Sequence, residues 1–262
     1  MSTSAVNEPT YKQAAPARAR PVDALILLAL MLLLWQAVGV WTSGIAVAPP
    51  LPTLAYLVNL LQTSLFWDNA AATLEAFLIA FAISAVAGLA LGLIFGTRPF
   101  ASDVAEPILS GFYTIPKVTL YPVVLLVFGL GISAKIAFGV MHGLVPVVLF
   151  TLGAVRSLPP VLVRTARVLR LSRRQTMLWV LLPACLPDIV GGLRISFSLS
   201  LLGVLIGEMF SSQRGLGFLL VSGIAQHNVL LSTSVITMIV IVAIVANMAM
   251  LHLSRRLTHR SK

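Results

Sequence analysis

Long apolar segments recur along the chain and alternate with short polar ones. The first extends from Ala24 to Trp41, where Gln36 is the one polar residue. A second extends from about Ala70 to Gly96, and a third, from Pro107 to Val155, exceeds the length of one membrane crossing. A helix needs about 20 apolar residues to cross a hydrocarbon core about 30 Å thick. The pattern therefore predicts helices that span a membrane.

The third apolar segment divides into two spans. The stretch Gly129-Leu130-Gly131-Ile132-Ser133 predicts a tight turn, because glycine relaxes the backbone constraint. A fifth span is expected from about Leu186 to Gly207, and a sixth from about Thr233 to Leu253. The predicted fold is thus all-α: a polytopic membrane protein with about six transmembrane helices.

Composition agrees with this prediction and excludes a soluble domain. Hydrophobic residues make up 58% of the chain and charged residues 10%, whereas ordinary globular chains carry about 25% charged residues. The net charge of +10 raises the question of nucleic acid, but the Lys and Arg residues lie at the ends of apolar runs. We therefore expect the lipid bilayer, and no nucleic acid, as a partner. The single cysteine, Cys185, excludes an intrachain disulfide and a cysteine metal cluster.

Basic residues concentrate on one side of the predicted bundle. That side receives Lys12, Arg18, Arg20, Arg98, the cluster from Arg156 to Arg174, Arg255, Arg256, Arg260 and Lys262. The opposite side keeps Lys135 and Arg214. Because cytoplasmic loops retain Lys and Arg, this asymmetry predicts a multi-pass protein with both termini in the cytoplasm.

The predicted spans divide the chain into five segments. These are a cytoplasmic tail (1–23), a first transmembrane anchor (24–41), an external loop (42–69), a core of five spans (70–253) and a basic cytoplasmic tail (254–262). Within the external loop, Leu54 to Trp67 is a candidate for a short helix along the interface. Asp68 and Asn69 are expected to cap the second span.

One alternative concerns the first span. Basic residues before an apolar core, followed by Ala46-Val47-Ala48, resemble a secretory signal peptide with its cleavage site. The core is longer, and the leader more extended, than in a typical signal. This favours a retained anchor.

Two features of the spans bear on how the helices pack. Small residues recur at four-residue intervals in the second span, a pattern that lets another helix approach closely: Ser84, Gly88, Gly92 and Gly96. Pro116 and Pro122 in the third span each remove a backbone hydrogen-bond donor. Broken helices at membrane depth are tolerated where they line a cavity or are buried in protein, so the third span is a candidate pore wall or a simple kink.

The loop at residues 157–183 predicts two short helices. Pro159 and Pro160 suit the first turn of one helix, and Ser172 with Gln175 forms a capping box that starts another, with a bend near Arg170. Four arginines share one face of this loop: Arg164, Arg167, Arg170 and Arg174. Such a face suits either lipid headgroups or the docking of another protein.

This loop also carries a family resemblance. The segments Thr165–Ser172 and Val180–Pro183 resemble the EAA loop of permease subunits in ABC importers, and Ala166, Val180, Leu182 and Pro183 fall on its pattern at the correct spacing. Other short matches are similar to the nitrate, sulfonate and taurine branch: Thr73-Leu74, Ile115-Pro116, Phe128-Gly129, Ala134-Lys135-Ile136, and Glu208 followed by Gly215-Leu216-Gly217. The resemblance extends from about Pro52 to the C-terminus.

The resemblance implies a type I ABC importer permease-like fold and a pathway subunit of the bacterial inner (plasma) membrane without catalytic residues. It implies a second permease copy, making a homodimer, a dimer of cytoplasmic ABC ATPases that grips the loop, and a periplasmic substrate-binding protein. No G-x-x-x-x-G-K-[ST] phosphate loop is present, so ATP and Mg are expected in the partner ATPase, and no cofactor or metal in this chain. The implied coupling residues are Arg164, Thr165, Ala166, Arg167, Leu169, Arg170, Ser172, Val180, Leu182 and Pro183.

The loop departs from the family pattern at three positions. Arg164 replaces the family Glu, Thr165 the first Ala, and Arg170 the Gly. Glycine suits a bend that requires a positive φ, so Arg170 leaves open whether this turn is built as in the family. The loss of Glu also removes a salt bridge with a basic ATPase residue.

Isolated polar residues in the spans are functional candidates, because burying charge in a membrane is costly. Lys117, beside Pro116, either faces the pathway and attracts an anion or snorkels to the interface. Glu208 is a candidate for a gate, a pairing or a plain interface role, and His142 suits a hydrogen-bonded packing role better than substrate contact. The expected solute is a small anion such as a sulfonate, taurine or nitrate. The alternatives are a pyrimidine-type vitamin precursor or an ion-gradient-driven secondary transporter.

Overall fold

The computed structural model describes residues 21–259, and these residues form helices joined by turns, without strands. The longer helices, in chain order, are α1 (Pro21–Trp41), α2 (Pro50–Leu60), α3 (Ser64–Gly96), α4 (Pro99–Thr114), α5 (Tyr121–Phe128), α6 (Ile132–Arg156), α7 (Pro160–Val168), α9 (Leu182–Ser211), α10 (Leu216–Ala225) and α11 (Val229–His259). Shorter pieces are a 3₁₀ turn (Lys117–Leu120), the single turn α8 (Arg173–Gln175) and a π-helical turn (Thr176–Leu181). The basic residues expected at positions 12, 18, 20, 260 and 262 lie outside the described range.

Five helices are long and apolar enough to cross a membrane, and a bent pair brings the number to six. The five are Val22–Trp41, Ser64–Gly96, Ile132–Arg156, Thr176–Phe210 and Val229–His252. The bent pair joins Pro99–Thr114 to Lys117–Phe128 at an angle of 88°. The prediction of an all-α protein with about six spans is confirmed.

The chain forms two compact units, Met1–Pro50 and Leu51–Lys262. In the first unit, the segment after α1 folds back onto that helix: the indole Nε1 of Trp35 donates a hydrogen bond to the Ala48 carbonyl oxygen at 3.0 Å. Gly39 allows Pro49 to approach, since a Cβ at Gly39 would lie 3.0 Å from the Pro49 Cα. The other side chains of α1 are largely exposed and apolar, as expected of a helix solvated by lipid.

In the second unit, α6 packs against both α3 and α9. The small residues of α3 lie in the contact with α6. A Cβ added at Gly88, Gly92 or Gly96 would fall 2.6 Å, 2.5 Å and 2.8 Å from the Cβ atoms of Val147, Thr151 and Val155, respectively. Ser84 continues the same row and is fully buried. The row therefore sets how closely the two helix axes approach.

Two predicted helix ends were wrong. Helix α3 begins at Ser64 and is capped by Thr63, whose hydroxyl accepts from the Phe66 N–H. Asp68 and Asn69 therefore lie inside the helix and do not cap it. The interfacial helix expected over residues 54–67 is divided, because α2 ends at Leu60 and the rest of the segment belongs to α3.

The two prolines of the third span act differently. At Pro116 the helix stops, since α4 ends at Thr114 and a 3₁₀ turn follows. Pro122 lies in the first turn of α5, where the missing N–H would have no helical partner in any case. The expectation that Pro122 costs a helical hydrogen bond was therefore wrong. The predicted turn at 129–133 is confirmed, with Gly129 at φ 73° and Gly131 at φ 125°.

Candidate functional site

Helix α7 presents an arginine-rich and partly apolar surface outside the spans. Pro160 occupies its first turn, and Ala166 is buried. Arg164 and Arg167 are exposed. Large apolar side chains accompany them on the exposed surface: Val161, Val168 and Leu169. Exposed apolar side chains flanked by cations are typical of a helix that docks into a groove of another protein.

The bend after α7 is built by backbone hydrogen bonds. The Leu171 N–H donates to the Ala166 carbonyl and the Arg170 N–H to the Arg167 carbonyl, both at 3.0 Å. This pair of bonds is the Schellman pattern, which requires a left-handed residue and usually takes glycine there. Arg170 occupies that position with φ 49°. The chain therefore retains the glycine-type turn although the glycine is replaced.

The predicted capping box after the bend is confirmed. The Ser172 N–H donates to Gln175 Oε1 at 2.8 Å, and the Gln175 N–H donates to Ser172 Oγ at 3.2 Å. The helix that it starts is not a separate short one. The chain passes from α8 through the π-helical turn into α9, and Val180, Leu182 and Pro183 lie on this continuous path. The loop is thus joined to a long span without an intervening break.

Glu208, near the other end of α9, is fully buried and surrounded by donors. Thr73 Oγ1 on α3 donates to Glu208 Oε2 at 2.8 Å, and the Gly217 N–H donates to the same oxygen at 3.0 Å. Lys135 Nζ on α6 lies 3.6 Å from Glu208 Oε1. The carboxylate thereby joins two other helices to the start of α10.

The loop between α9 and α10 is fastened to the same cluster. The Gly215 N–H donates to Asn69 Oδ1 at 2.7 Å, and the Leu216 N–H to Thr73 Oγ1 at 2.8 Å. Lys135 Nζ donates to the Arg214 carbonyl oxygen at 2.5 Å. These bonds fix the loop that carries Arg214 on the surface of the bundle.

Glycine is required beside Glu208. Gly215 has φ 125°, a conformation that side chains rarely adopt, and a Cβ there would overlap the carboxyl group of Glu208. A Cβ at Gly217 would lie 2.4 Å from the Leu205 carbonyl oxygen and 2.8 Å from the Glu208 Cβ. The Gly215-Leu216-Gly217 segment therefore lets the backbone close over the carboxylate.

At the break beside Pro116, Lys117 folds back against α4, the helix that precedes the break. Lys117 is largely buried, and its Nζ donates to the Tyr113 carbonyl oxygen at 3.1 Å and lies 4.8 Å from the centre of the Tyr113 ring. One turn further on, the Tyr121 hydroxyl donates to the Gly207 carbonyl at 2.7 Å. The broken span is thus held to α9 close to Glu208.

His142 lies in the middle of the bundle. Its Nδ1 donates to the Phe138 carbonyl oxygen at 2.9 Å, and its ring packs at 4.7 Å from the Phe138 ring. On the facing helix, a Cβ at Gly203 would lie 2.9 Å from His142 Nδ1. This close approach leaves the imidazole between α6 and α9.

The structure brings together residues that the sequence analysis noted separately. Thr73, Lys135, Glu208 and the Gly215–Gly217 segment were quoted as scattered short matches, and all of them meet at one buried cluster. Among the candidate site residues, only Glu208 belongs to it. Asn69 was taken for a helix cap. Its hydrogen-bond partner is the Gly215 N–H, which is so distant in the sequence that no local pattern indicates the contact.

These features define a multi-pass helical membrane protein with an arginine-rich, partly apolar helix outside the spans and a buried polar cluster between them. Residues 85–261 match the family of binding-protein-dependent transport system inner membrane components, and the chain belongs to this family. It is a permease subunit of the ABC transporter class. The resemblance to the nitrate, sulfonate and taurine permeases is confirmed.

Curated relatives support this assignment over most of the chain. The taurine transport system permease protein TauC of Escherichia coli (strain K12) is 29% identical over 241 residues, which are 88% of this chain and 86% of the relative. The riboflavin transport system permease protein RibX of Chloroflexus aurantiacus is 32% identical over 198 residues, 74% of each chain. The nitrate import permease protein NrtB of Leptolyngbya laminosa is 34% identical over 154 residues, 59% of this chain and 55% of the relative.

A solved structure shares the fold. An inward-facing conformation of the MetNI methionine ABC transporter aligns with a TM-score of 0.58 at 22% identity, over 73% of this chain and 93% of that one. The permease-like fold expected from the sequence is therefore confirmed.

Proposed function

We propose that this chain forms the translocation pathway of an ABC importer in the inner membrane, with both termini in the cytoplasm. It works as a homodimer whose α7 helices dock on a dimer of separate ATPase subunits, which bind and hydrolyse ATP with Mg. A periplasmic binding protein delivers the solute to the opposite side. The membership in a family of binding-protein-dependent transport components supports this assembly.

The observation that carries the proposal is the construction of α7 and the path behind it. The helix exposes Val161, Val168 and Leu169 beside Arg164 and Arg167. Exposed apolar side chains that are grouped on one surface and flanked by polar residues mark protein–protein interaction sites, whereas single ones do not. The capping box then leads without interruption into α9. A partner that moves α7 would therefore also displace α9, a long span of the bundle.

We propose a small anion as the solute, such as a sulfonate, taurine or nitrate. The relatives for taurine, aliphatic sulfonates and nitrate support this class. A second class also has support, since a formylaminopyrimidine permease and a riboflavin permease are among the relatives. Competition for uptake of radiolabelled taurine by unlabelled sulfonates, nitrate and formylaminopyrimidine distinguishes the two classes in cells that express the whole importer.

The docking role predicts that the ATPase surface opposite Arg164 is acidic or neutral. Replacing Arg164→Glu reverses the charge and should reduce the amount of ATPase that co-purifies with the tagged permease from native membranes by about ten-fold, since a charge-assisted contact contributes roughly 1.5–3 kcal/mol. The measurement is the molar ratio of ATPase to permease by quantitative mass spectrometry.

Arg214→Glu provides the matched control. Arg214 is also exposed but lies in the loop between α9 and α10, at the opposite end of α9 from the loop at 157–183, so this variant should retain the native ratio. Unchanged or improved assembly of Arg164→Glu would contradict the docking geometry. A permease that is recovered without any ATPase, from native membranes that contain one, would contradict the importer proposal as a whole.

A further inference from the structure

An apolar groove lies in the second unit between α3, α9 and α11. It has a volume of about 260 Å³, and the side chains that line it include Phe77, Phe197, Leu201, Leu205, Met238 and Val242. Trp67 and Leu74 stand at its edge and are more than half exposed. The groove therefore opens on the surface of the bundle at a depth where the solvent is lipid.

One cation, Arg194, lies on α9 in line with the residues of that helix that line the groove. Arg194 precedes Phe197 and Leu201 on the same face of α9, at the three- and seven-residue spacings that align side chains on a helix. Its Nε donates to Asn247 Oδ1 on α11 at 3.1 Å. Asn247 directly follows Ala246, which lines the groove. The guanidinium group therefore lies between the two helices that form the walls.

Arg194 lacks a counterion within the part of the chain that the structure describes. The ion pairs found there involve Lys135 with Glu208, and Arg156 with Asp103 and Glu106. Asn247 is neutral and satisfies Nε, which leaves the two terminal nitrogens of the guanidinium for another group. An arginine within a span is costly unless it reaches an anion or the interface.

The depth of Arg194 matches that of a lipid headgroup. At 1.5 Å per residue, it lies about 24 Å from Phe210 along α9, whereas the hydrocarbon core is about 30 Å thick. By the same measure Phe197 lies about 20 Å and Leu205 about 8 Å from Phe210, so the wall of the groove crosses the bilayer centre. A phosphate at Arg194 would thus place an acyl chain in the half of the groove nearer to Phe197, up to the bilayer centre.

We infer that this groove and Arg194 form a binding site for one anionic phospholipid. The guanidinium group receives the phosphate, since its planar donors match phosphate oxygens, and the groove receives one acyl chain. The phospholipid belongs to the leaflet toward which α11 runs at its C-terminal end. Neither the transport activity nor the ATPase partner enters this inference.

The test is native mass spectrometry of the full-length chain in detergent, titrated with phosphatidylglycerol or with phosphatidylcholine of the same acyl chains. The wild-type chain should bind one phosphatidylglycerol in preference to phosphatidylcholine. Arg194→Gln should weaken phosphatidylglycerol binding about ten-fold, as expected from the loss of a charge-assisted contact. Arg98→Gln, at an exposed arginine, should leave it unchanged, and Arg194→Lys should retain most of the affinity.

A second pair of variants tests the groove itself. Leu201→Trp fills the space and should abolish binding of both lipids, whereas Leu202→Trp, at the neighbouring exposed position, should leave binding unchanged. This pair decides the question even if Arg194→Gln fails to fold.

Four results would overturn the inference. One is equal phosphatidylglycerol affinity in wild type and Arg194→Gln, and another is equal affinity in Leu201→Trp and Leu202→Trp. The third is binding of glycerol 3-phosphate as tight as that of the lipid, which would assign Arg194 to a soluble anion. A protein segment, from this chain or a second copy, found seated in the groove in an experimental density map would equally exclude the lipid.

Discussion

A buried carboxylate such as Glu208 is tolerated in a bundle solvated by lipid only if donors surround it. Here a hydroxyl and a backbone N–H donate to it, from Thr73 and Gly217, and the ammonium group of Lys135 forms an ion pair with it at 3.6 Å. Thr73 has a double role, because its oxygen also accepts from the Leu216 N–H. The residue therefore links Glu208 to the loop that follows α9.

Removing this hydroxyl should destabilise the protein. In Thr73→Val both the carboxylate and the Leu216 N–H lose a partner in a buried site, which should cost about 1–3 kcal/mol. Thermal unfolding of the purified chain in detergent measures the loss as a lower midpoint. Thr151→Val is the matched control: Thr151 is also fully buried, but its hydroxyl has no partner, so its loss should be neutral or stabilising. Equal midpoints for the two variants would contradict the role of Thr73.

A second residue-scale prediction concerns the loop glycine. Gly215→Ala places a methyl group onto the Glu208 carboxyl group in addition to straining a backbone at φ 125°. Gly131→Ala shares φ 125° but has open space around the added Cβ, so it reports the strain alone. We expect Gly215→Ala to lower the stability by a further 1–3 kcal/mol or so beyond Gly131→Ala. The same unfolding measurement applies, and a smaller loss in Gly215→Ala than in Gly131→Ala would disprove the overlap.

At the scale of the helix, the contact between α3 and α6 depends on glycines of α3, which leave room for the side chains of α6. Gly92→Ala adds a methyl group 2.5 Å from the Thr151 Cβ, so the helices must separate, at a cost of about 1–3 kcal/mol. Gly153→Ala, inside α6 with open space around it, should be neutral or stabilise by roughly 0.5–1 kcal/mol, since alanine favours the helix. Unfolding midpoints that move in the same direction for both variants would contradict this packing.

Helix interiors could be predicted from the sequence better than helix ends. The apolar pattern located the spans, because lipid demands long apolar helices. The ends of a helix depend on its capping residues. Asp68 and Asn69 are as suitable by residue type as Thr63, which is the residue that caps α3. The pattern also placed Leu216–Ala225 in an external loop. At ten residues, this apolar helix is too short to give a span signal.

At the scale of the whole molecule, distant contacts could not be predicted from one chain. The arginine-rich loop was found because its caps and its bend are local in sequence, within the segment 157–183. The cluster around Glu208 was not, because Thr73 and Glu208 are 135 positions apart. Even so, the short matches that carried the family resemblance contain most of its members, so the resemblance indicated the residues without their geometry.

Orientation in the membrane is a whole-molecule prediction from the charge asymmetry. In a Cys185→Ser background, which alters one buried small side chain, single cysteines at Gln213 and Thr97 test the two sides. Both positions are exposed. In intact spheroplasts a membrane-impermeant maleimide should label Gln213→Cys at once and Thr97→Cys only after permeabilisation. The reverse pattern would show that the bundle is inverted.

The burial of Glu208 also has a consequence for biogenesis. While α9 is emerging from the ribosome, α3 and α6 have already been synthesised, and both of the side chains from other spans that meet Glu208 lie on them: Thr73 and Lys135. A carboxylate that entered lipid alone would meet a barrier of a few kcal/mol. We therefore expect helix α9 to leave the insertion machinery against its two earlier neighbours, so that the polar cluster acts as an assembly signal for the order in which the spans come together.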